Sequence, residues 1–173
     1  MVKTINEARI EVDRAINTIK LSSIAAMTLK GETVRMDLSG PTKKLGFYIR
    51  VPLGIVLAIS PFNFPLNLSC HKIGPAIAAG NAVIHKPATK TPLSALMLAE
   101  TLIEAGLPEP GISVLIGPGS TLGMALVRAP EIRKVSFTGS WEVGNIIMAN
   151  CGMKKVTMEL GSNSAVIVFK DAP

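Results

Sequence analysis

Aromatic residues are scarce in this chain: one Trp, one Tyr and five Phe among 173 residues. Cysteine and histidine are scarcer still, with Cys70, Cys151, His71 and His85 the whole supply. Each shortage excludes something. The cysteines show neither metal-ligand spacing nor a reason to pair, which argues against a disulfide framework and suits a reducing compartment. The histidines have no partners at ligand spacing, so no metal site is expected. No apolar run approaches the ~18 residues of a membrane span, and the charged opening MVKTINEARIEVDR is unlike a signal peptide. A cytoplasmic protein with no membrane partner is expected. The net charge is +6, yet Lys and Arg are scattered and no aromatics interleave with them. Nucleic acid is therefore not an expected partner, and a mild attraction for anionic ligands is. The standard dinucleotide fingerprint G-x-G-x-x-G is also missing.

What is present is a composition 48% hydrophobic and rich in Ala, Ile, Val and Gly, which favours helices packed closely on a buried parallel sheet. Residues 4–29 place Ile5, Ala8, Val12, Ala15, Ile16, Ile19, Ser23 and Ala26 at helical spacing, with Glu7, Arg9, Glu11, Asp13 and Arg14 on the opposite face. Two alternating stretches, 31–37 and 45–51, joined by Ser-Gly-Pro-Thr-Lys-Lys, read as a hairpin that leans on another domain or subunit. From Gly54 the rhythm becomes strand and helix in alternation. Strands are expected at 54–59, 82–86, 112–116, 133–137, 154–160 and 165–169, and helices at 66–79, 92–105, 120–128 and 141–150. This pattern predicts right-handed βαβ crossovers and a Rossmann-like parallel sheet with helices on both faces. The expected division is an N-terminal helix (1–30), a hairpin (31–52) and a dinucleotide-binding domain (53–173).

Ligands on such sheets sit at the carboxyl ends of the strands, where the unusual residues fall. Lys134-Val135-Ser136-Phe137-Thr138-Gly139-Ser140 delivers a strand into a helix N-terminus, the geometry of an anion site. Gly139 permits close approach, Ser140 supplies a hydroxyl, and Gly144 lets the helix pack on its strand, though an ordinary strand–helix turn reads the same way. Asn63, held between Pro61 and Pro65, is either an amide aimed at a developing oxyanion or an Asx turn. Lys86 ends a buried strand and either reaches a ribose or phosphate or snorkels to the surface. Gly117-Pro118-Gly119-Ser120-Thr121-Leu122-Gly123 is a tight turn on the adenine side of a ligand. Glu159 is the one carboxylate in an apolar run, a setting that would raise its pKa for general-base work, unless it pairs with Lys154 or Lys155. Cys70 and Cys151 read as core residues.

Together, Ile59-Ser60-Pro61-Phe62-Asn63-Phe64-Pro65, His85-Lys86-Pro87-Ala88, Phe137-Thr138-Gly139-Ser140 with Gly144, and Met158-Glu159-Leu160-Gly161 closely resemble the aldehyde dehydrogenase superfamily. The resemblance runs the length of the chain and is nearest the lactaldehyde, glyceraldehyde-phosphate and succinate-semialdehyde enzymes. It implies NAD or NADP as cofactor and oxidation of an aldehyde to a carboxylate through a cysteine thioester. By that resemblance Asn63 is the oxyanion amide and Glu159 the general base. Ile59, Ser60, Pro61, Phe62, Lys86, Thr89, Gly119, Gly139, Ser140, Gly144 and Leu160 line the cofactor, with Lys86 on the ribose hydroxyls, Ser140 with Gly139 at the pyrophosphate and Trp141 close by. Three departures stand out. The family's catalytic cysteine is expected beyond Pro173, and neither Cys70 nor Cys151 occupies its position. The chain alone is thus expected to be inactive, a cofactor-binding fragment. Ser162 replaces a glycine after Glu159-Leu160-Gly161. Thr89 stands where strictly NAD-using members often carry a glutamate, which makes NADP admissible. The hairpin resembles an oligomerisation ribbon, implying a homo-oligomer or a missing domain as partner; a truncated or split module that assembles with a complementary chain is the alternative.

Overall fold

The computed structural model describes residues 3–40 and 43–172; Pro41 and Thr42 of the expected hairpin turn, and both extreme termini, lie outside them. The chain opens with α1 (Ile5–Thr28), started by a capping box in which Thr4 and Glu7 satisfy each other's backbone amides. The hairpin follows as β1 (Glu32–Val34) and β2 (Gly46–Tyr48), antiparallel with Glu32 opposite Tyr48 and largely exposed. The remaining elements are β3 (Ile55–Ile59), α2 (Asn67–Ala78), β4 (Ala82–Lys86), α3 (Leu93–Glu104), β5 (Ile112–Val114), α4 (Met124–Arg128), β6 (Ile132–Thr138), α5 (Trp141–Asn150) and β7 (Lys155–Glu159).

These strands form one parallel sheet in the order β5-β4-β3-β6-β7. The chain winds outward from β3 through β5, then returns to the other side of β3. Helices α2 and α3 pack on Val56, Ala58, Val83 and Ile112 of one face. Helices α4 and α5 cover Leu57, Val135 and Phe137 on the other. This is the doubly wound α/β arrangement the alternation predicts, and its direction reverses between β3 and β6. A crevice opens there at the carboxyl ends of the strands.

The structure departs from the sequence reading in three places. Ala165–Phe169 forms no strand: Val166, Ile167, Val168 and Phe169 are exposed and nothing pairs beyond β7 among the described residues. Apolar alternation makes a strand only when a neighbouring ladder takes its amides. Second, the expected helix at 120–128 begins as a wider π turn, Gly119–Gly123, with the Gly123 amide donating to Pro118 O at 3.2 Å. Third, α1 is rotated. Glu11 and Ala15 are its buried residues, while Ile5, Val12 and Ile16 face outward. Close approach to α2 decides this: a Cβ on Gly74 would meet Ser22 Oγ at 2.5 Å, so the small and polar face of α1 is the one that fits.

Candidate dinucleotide site at the strand switch point

The β3 and β4 ends are tied by the Ser60 amide, which donates to Lys86 O at 3.3 Å, and the β6 and β7 ends by the Gly139 amide, which donates to Glu159 O at 3.1 Å. Alternation along β4 sends Lys86 to the α4/α5 side and His85 to the α2 side. Lys86 is 5% exposed, and its stem lies beside Gly123, where a Cβ would sit 3.5 Å from Cε. Its Nζ donates to Pro87 O at 3.2 Å and forms no ion pair among the described residues. Burial pushes its pKa down. An ammonium has three hydrogens, so donors are left for an acceptor in the crevice. Thr89, exposed one turn beyond, donates its hydroxyl to Gly117 O at 2.9 Å and binds the β4–α3 loop to the glycine turn that carries exposed Gly119.

Across the crevice, Ser140 is the N-cap of α5, its Oγ accepting the Val143 amide at 3.3 Å. The Glu142 carboxylate is held below its usual pKa, first by its own amide and then by Ser140. The protein thus places an anion of its own in the first turn of the helix, near the N-terminus where a phosphate would bind. Gly144 makes the packing possible, since a Cβ there would meet Leu160 Cδ2 at 2.7 Å. Trp141 is exposed at the mouth.

The turn after β3 carries the exposed residues Phe62 and Asn63. Asn63 Oδ1 accepts the Phe64 amide at 3.1 Å, which leaves the Nδ2 hydrogens as the outward donors. The Ser60 side chain is buried on the α2 side, bonded to His85 and Ser69, which leaves its backbone as the part open to a ligand. Glu159 is exposed at the end of β7, without the apolar enclosure expected from its sequence neighbours. It forms no ion pair with Lys154 or Lys155 among the described residues, and its charge bears on Lys72. That lysine, 4% exposed on α2, donates to Thr138 Oγ1 at 2.6 Å. Burial pushes its pKa down to about 8, partly opposed by the Glu159 charge. Lys72 escaped the sequence reading; its signal was a lone cation on the helix face shared with Ser69, Ile73 and Ala76.

Cys70 and Cys151 are both buried, and burial, followed by the Glu11 charge, pushes the Cys70 thiol up to about 11. Among the described residues there is no cluster of three or more His, Cys, Asp or Glu able to hold a metal, and no helix is long and apolar enough to cross a membrane. A cavity of about 660 Å³ lies elsewhere, between the hairpin base and the open half of the α2-side face, with Lys30, Arg50, Lys72, Lys134 and Lys155 in its walls. The crevice is marked by topology and donors rather than by volume.

Comparison with known proteins gives the class. The sequence model of the aldehyde dehydrogenase family matches residues 1–173, and the chain belongs to that family. The 3-sulfolactaldehyde dehydrogenase of Priestia megaterium is 47% identical over 171 residues, which are 98% of this chain and 36% of that protein. A lactaldehyde dehydrogenase of Methanococcus maripaludis is 43% identical over 174 residues, with the same coverage of 98% and 36%. Among solved structures, the NADP-dependent glyceraldehyde-3-phosphate dehydrogenase of Bacillus halodurans, complexed with NADP, superposes with a TM-score of 0.86 at 43% identity, covering 90% of this chain and 33% of that one. The betaine aldehyde dehydrogenase of Staphylococcus aureus, in complex with NAD+, gives 0.86 at 31% identity, covering 92% and 32%. The chain therefore spans about a third of the length of these relatives.

Proposed function

We propose that residues 1–173 are the dinucleotide-binding portion of an NAD(P)-dependent aldehyde dehydrogenase. The observation that carries this is a buried lysine with free donors, Lys86, at the carboxyl end of the same parallel sheet as the Ser140-capped start of α5, on either side of the β3/β6 reversal. Lys86 holds the ribose hydroxyls, and the α5 N-terminus takes the pyrophosphate. Thr89 brings no charge to repel a 2′-phosphate, so NADP is admitted beside NAD, in keeping with the NADP and NAD+ carried by the solved relatives. The bound cofactor supplies the hydride acceptor.

In the whole enzyme Asn63 donates its Nδ2 hydrogens to the aldehyde oxygen, and Glu159 takes a proton from the nucleophile or water. The nucleophile comes from outside these residues, because Cys70 and Cys151 are sealed in the core. Residues 1–173 alone should give no NAD(P) reduction with lactaldehyde or glyceraldehyde 3-phosphate; turnover by this polypeptide, abolished by Glu159→Gln, would overturn that reading.

A second reading, a non-catalytic module that assembles with a complementary chain or with itself, is favoured by exposed apolar residues on α1 (Ile5, Ile16, Ile24), on the hairpin (Phe47) and at 166–169. Size-exclusion chromatography separates the readings, since a clean monomer at high concentration speaks against self-assembly.

A further inference from the structure

His85 is completely buried on the α2 side of β4, directly behind Lys86. Its Nε2 lies 2.9 Å from Ser60 Oγ and 3.1 Å from Ser69 Oγ. The two hydroxyl oxygens are 3.0 Å apart, and Ser69 Oγ donates to Pro65 O at 2.6 Å. His85 Nδ1 has no partner among the described residues.

Counting hydrogens fixes the direction of this network. Pro65 O can only accept, so the single hydroxyl hydrogen of Ser69 belongs to that short contact, and Ser69 Oγ becomes an acceptor. Were Nε2 bare, the imidazole hydrogen would sit on Nδ1 as a buried donor with nothing to receive it, the costliest arrangement for a polar group. With the hydrogen on Nε2, the ring donates to the oxygens of Ser60 and Ser69, and Ser69 donates to Pro65. Only a bare acceptor is then left unpaired. Burial, with the charges of Lys72 and Lys86 nearby, keeps the ring neutral.

The three side chains come from three elements: the exit of β3, the first turn of α2 and the end of β4. They bracket the turn Pro61–Pro65, whose other fixed points are the Ser60 amide on Lys86 O and the Phe64 amide on Asn63. We propose that His85 is a positioning residue, whose Nε2–H holds the Ser60 and Ser69 oxygens, with Ser69 in turn donating to the Pro65 carbonyl, and thereby sets where the turn presents Asn63. The consequence for Asn63 rests on its proposed oxyanion role; the tautomer and the clamp do not. The same network links the Asn63 turn to the strand end that carries Lys86.

The test uses the 173-residue chain labelled with ¹⁵N-histidine, exposed His71 serving as the internal reference. His85 should show the Nε2–H tautomer with a slowly exchanging proton; an Nδ1–H tautomer overturns the proposal. Ser69→Ala should speed amide exchange at Phe62, Asn63 and Phe64 at least tenfold while β3 and β6 amides stay unchanged, and Ser69→Thr, which restores the hydroxyl, should reverse this. Uniform acceleration, or none, overturns the clamp. Ser69→Ala should also weaken NADP several-fold while leaving AMP, which reaches only the Lys86 and Ser140 side, unaffected; equal weakening of both contradicts the proposal. A folded wild-type chain that binds neither nucleotide overturns the cofactor reading and its Asn63 clause, while the tautomer and exchange results still decide the clamp.

Discussion

One carboxylate oxygen of Glu11, on α1, accepts the Leu66 amide at 2.8 Å and the Asn67 amide at 3.1 Å, so the side chain of one helix caps the start of the next. Lys3 pairs with the other oxygen, and Thr18 reaches Asn67 Oδ1 at 3.1 Å. The capped end is the one that follows the Asn63 turn, so α1 supports the crevice from behind. A cap made through tertiary packing joins α1 to the domain's stability, although the helix contributes little apolar burial.

Removing that cap should be felt globally. Glu11→Ala leaves two helix amides and Lys3 without their acceptor, a loss of about 1–2 kcal/mol by the usual worth of a cap. Urea unfolding should show a lower midpoint at unchanged slope. A midpoint equal to wild type would mean that water replaces the carboxylate without loss.

The carboxylate in the first turn of α5, Glu142, should oppose an anionic cofactor at that N-terminus. Glu142→Gln removes its charge while keeping its shape, so NAD and NADP should both bind several-fold more tightly, and the gain should shrink with added salt. Calorimetric titration of wild type and variant measures it. Weaker binding in Glu142→Gln would show that the carboxylate contributes to the site instead.

Stability should fall in mild acid because of His85. Burial, then Lys72 and Lys86, pushes its pKa from 6.5 down to about 4. Between those values the unfolded chain binds a proton that the folded chain refuses, so lowering pH through this window favours unfolding, by on the order of 3 kcal/mol in full. Unfolding midpoints of wild type and His85→Leu, compared from pH 7 to 4.5, should show a shallower slope in the variant. Lys72, lowered from 10.5 to about 8, acts in the alkaline range: there the unfolded chain keeps a proton the folded chain has lost, and stability gains as pH rises. Lys72→Met should remove that gain. Equal slopes in either pair would place these groups in better-solvated surroundings.

Gly144 should tolerate a methyl but not a branched side chain. A Cβ at 2.7 Å from Leu160 Cδ2 displaces only the end of a flexible side chain, so Gly144→Ala should cost little stability, whereas Gly144→Val should separate α5 from Leu160 and lower both stability and nucleotide affinity. Gly123→Ala, with its Cβ in ordinary contact with the Lys86 stem, should be nearly silent. Thermal melts and NADP titration check all three.

The sheet was legible because its signals are local: short apolar runs such as Ile55–Ile59 and Ala82–Lys86, punctuated by glycine, can hardly be anything but buried parallel strands. The strand-end positions of Lys86, Gly139 and Ser140 followed from the same rhythm. What periodicity could not show was orientation. Glu11 looked like a solvated charge because its partners, Leu66 and Asn67, are distant in sequence, and Ile5, Val12 and Ile16 looked buried because helical spacing does not say which face finds a neighbour. Ala165–Phe169 alternates like a strand yet has no ladder to join. His85 and Lys72 were hidden for a related reason: a polar residue in a buried element reveals its task only when its hydrogen-bond partners are known.

The measurement closest to the central claim is a titration of NAD and NADP into the folded 173-residue chain, followed by the fluorescence of exposed Trp141, the only tryptophan, at the start of α5. Saturable quenching, weakened about tenfold in Lys86→Ala by the loss of one charge-assisted hydrogen-bond donor, is the predicted result. A folded chain whose fluorescence does not respond, with no binding by calorimetry, would contradict a formed dinucleotide site in these residues.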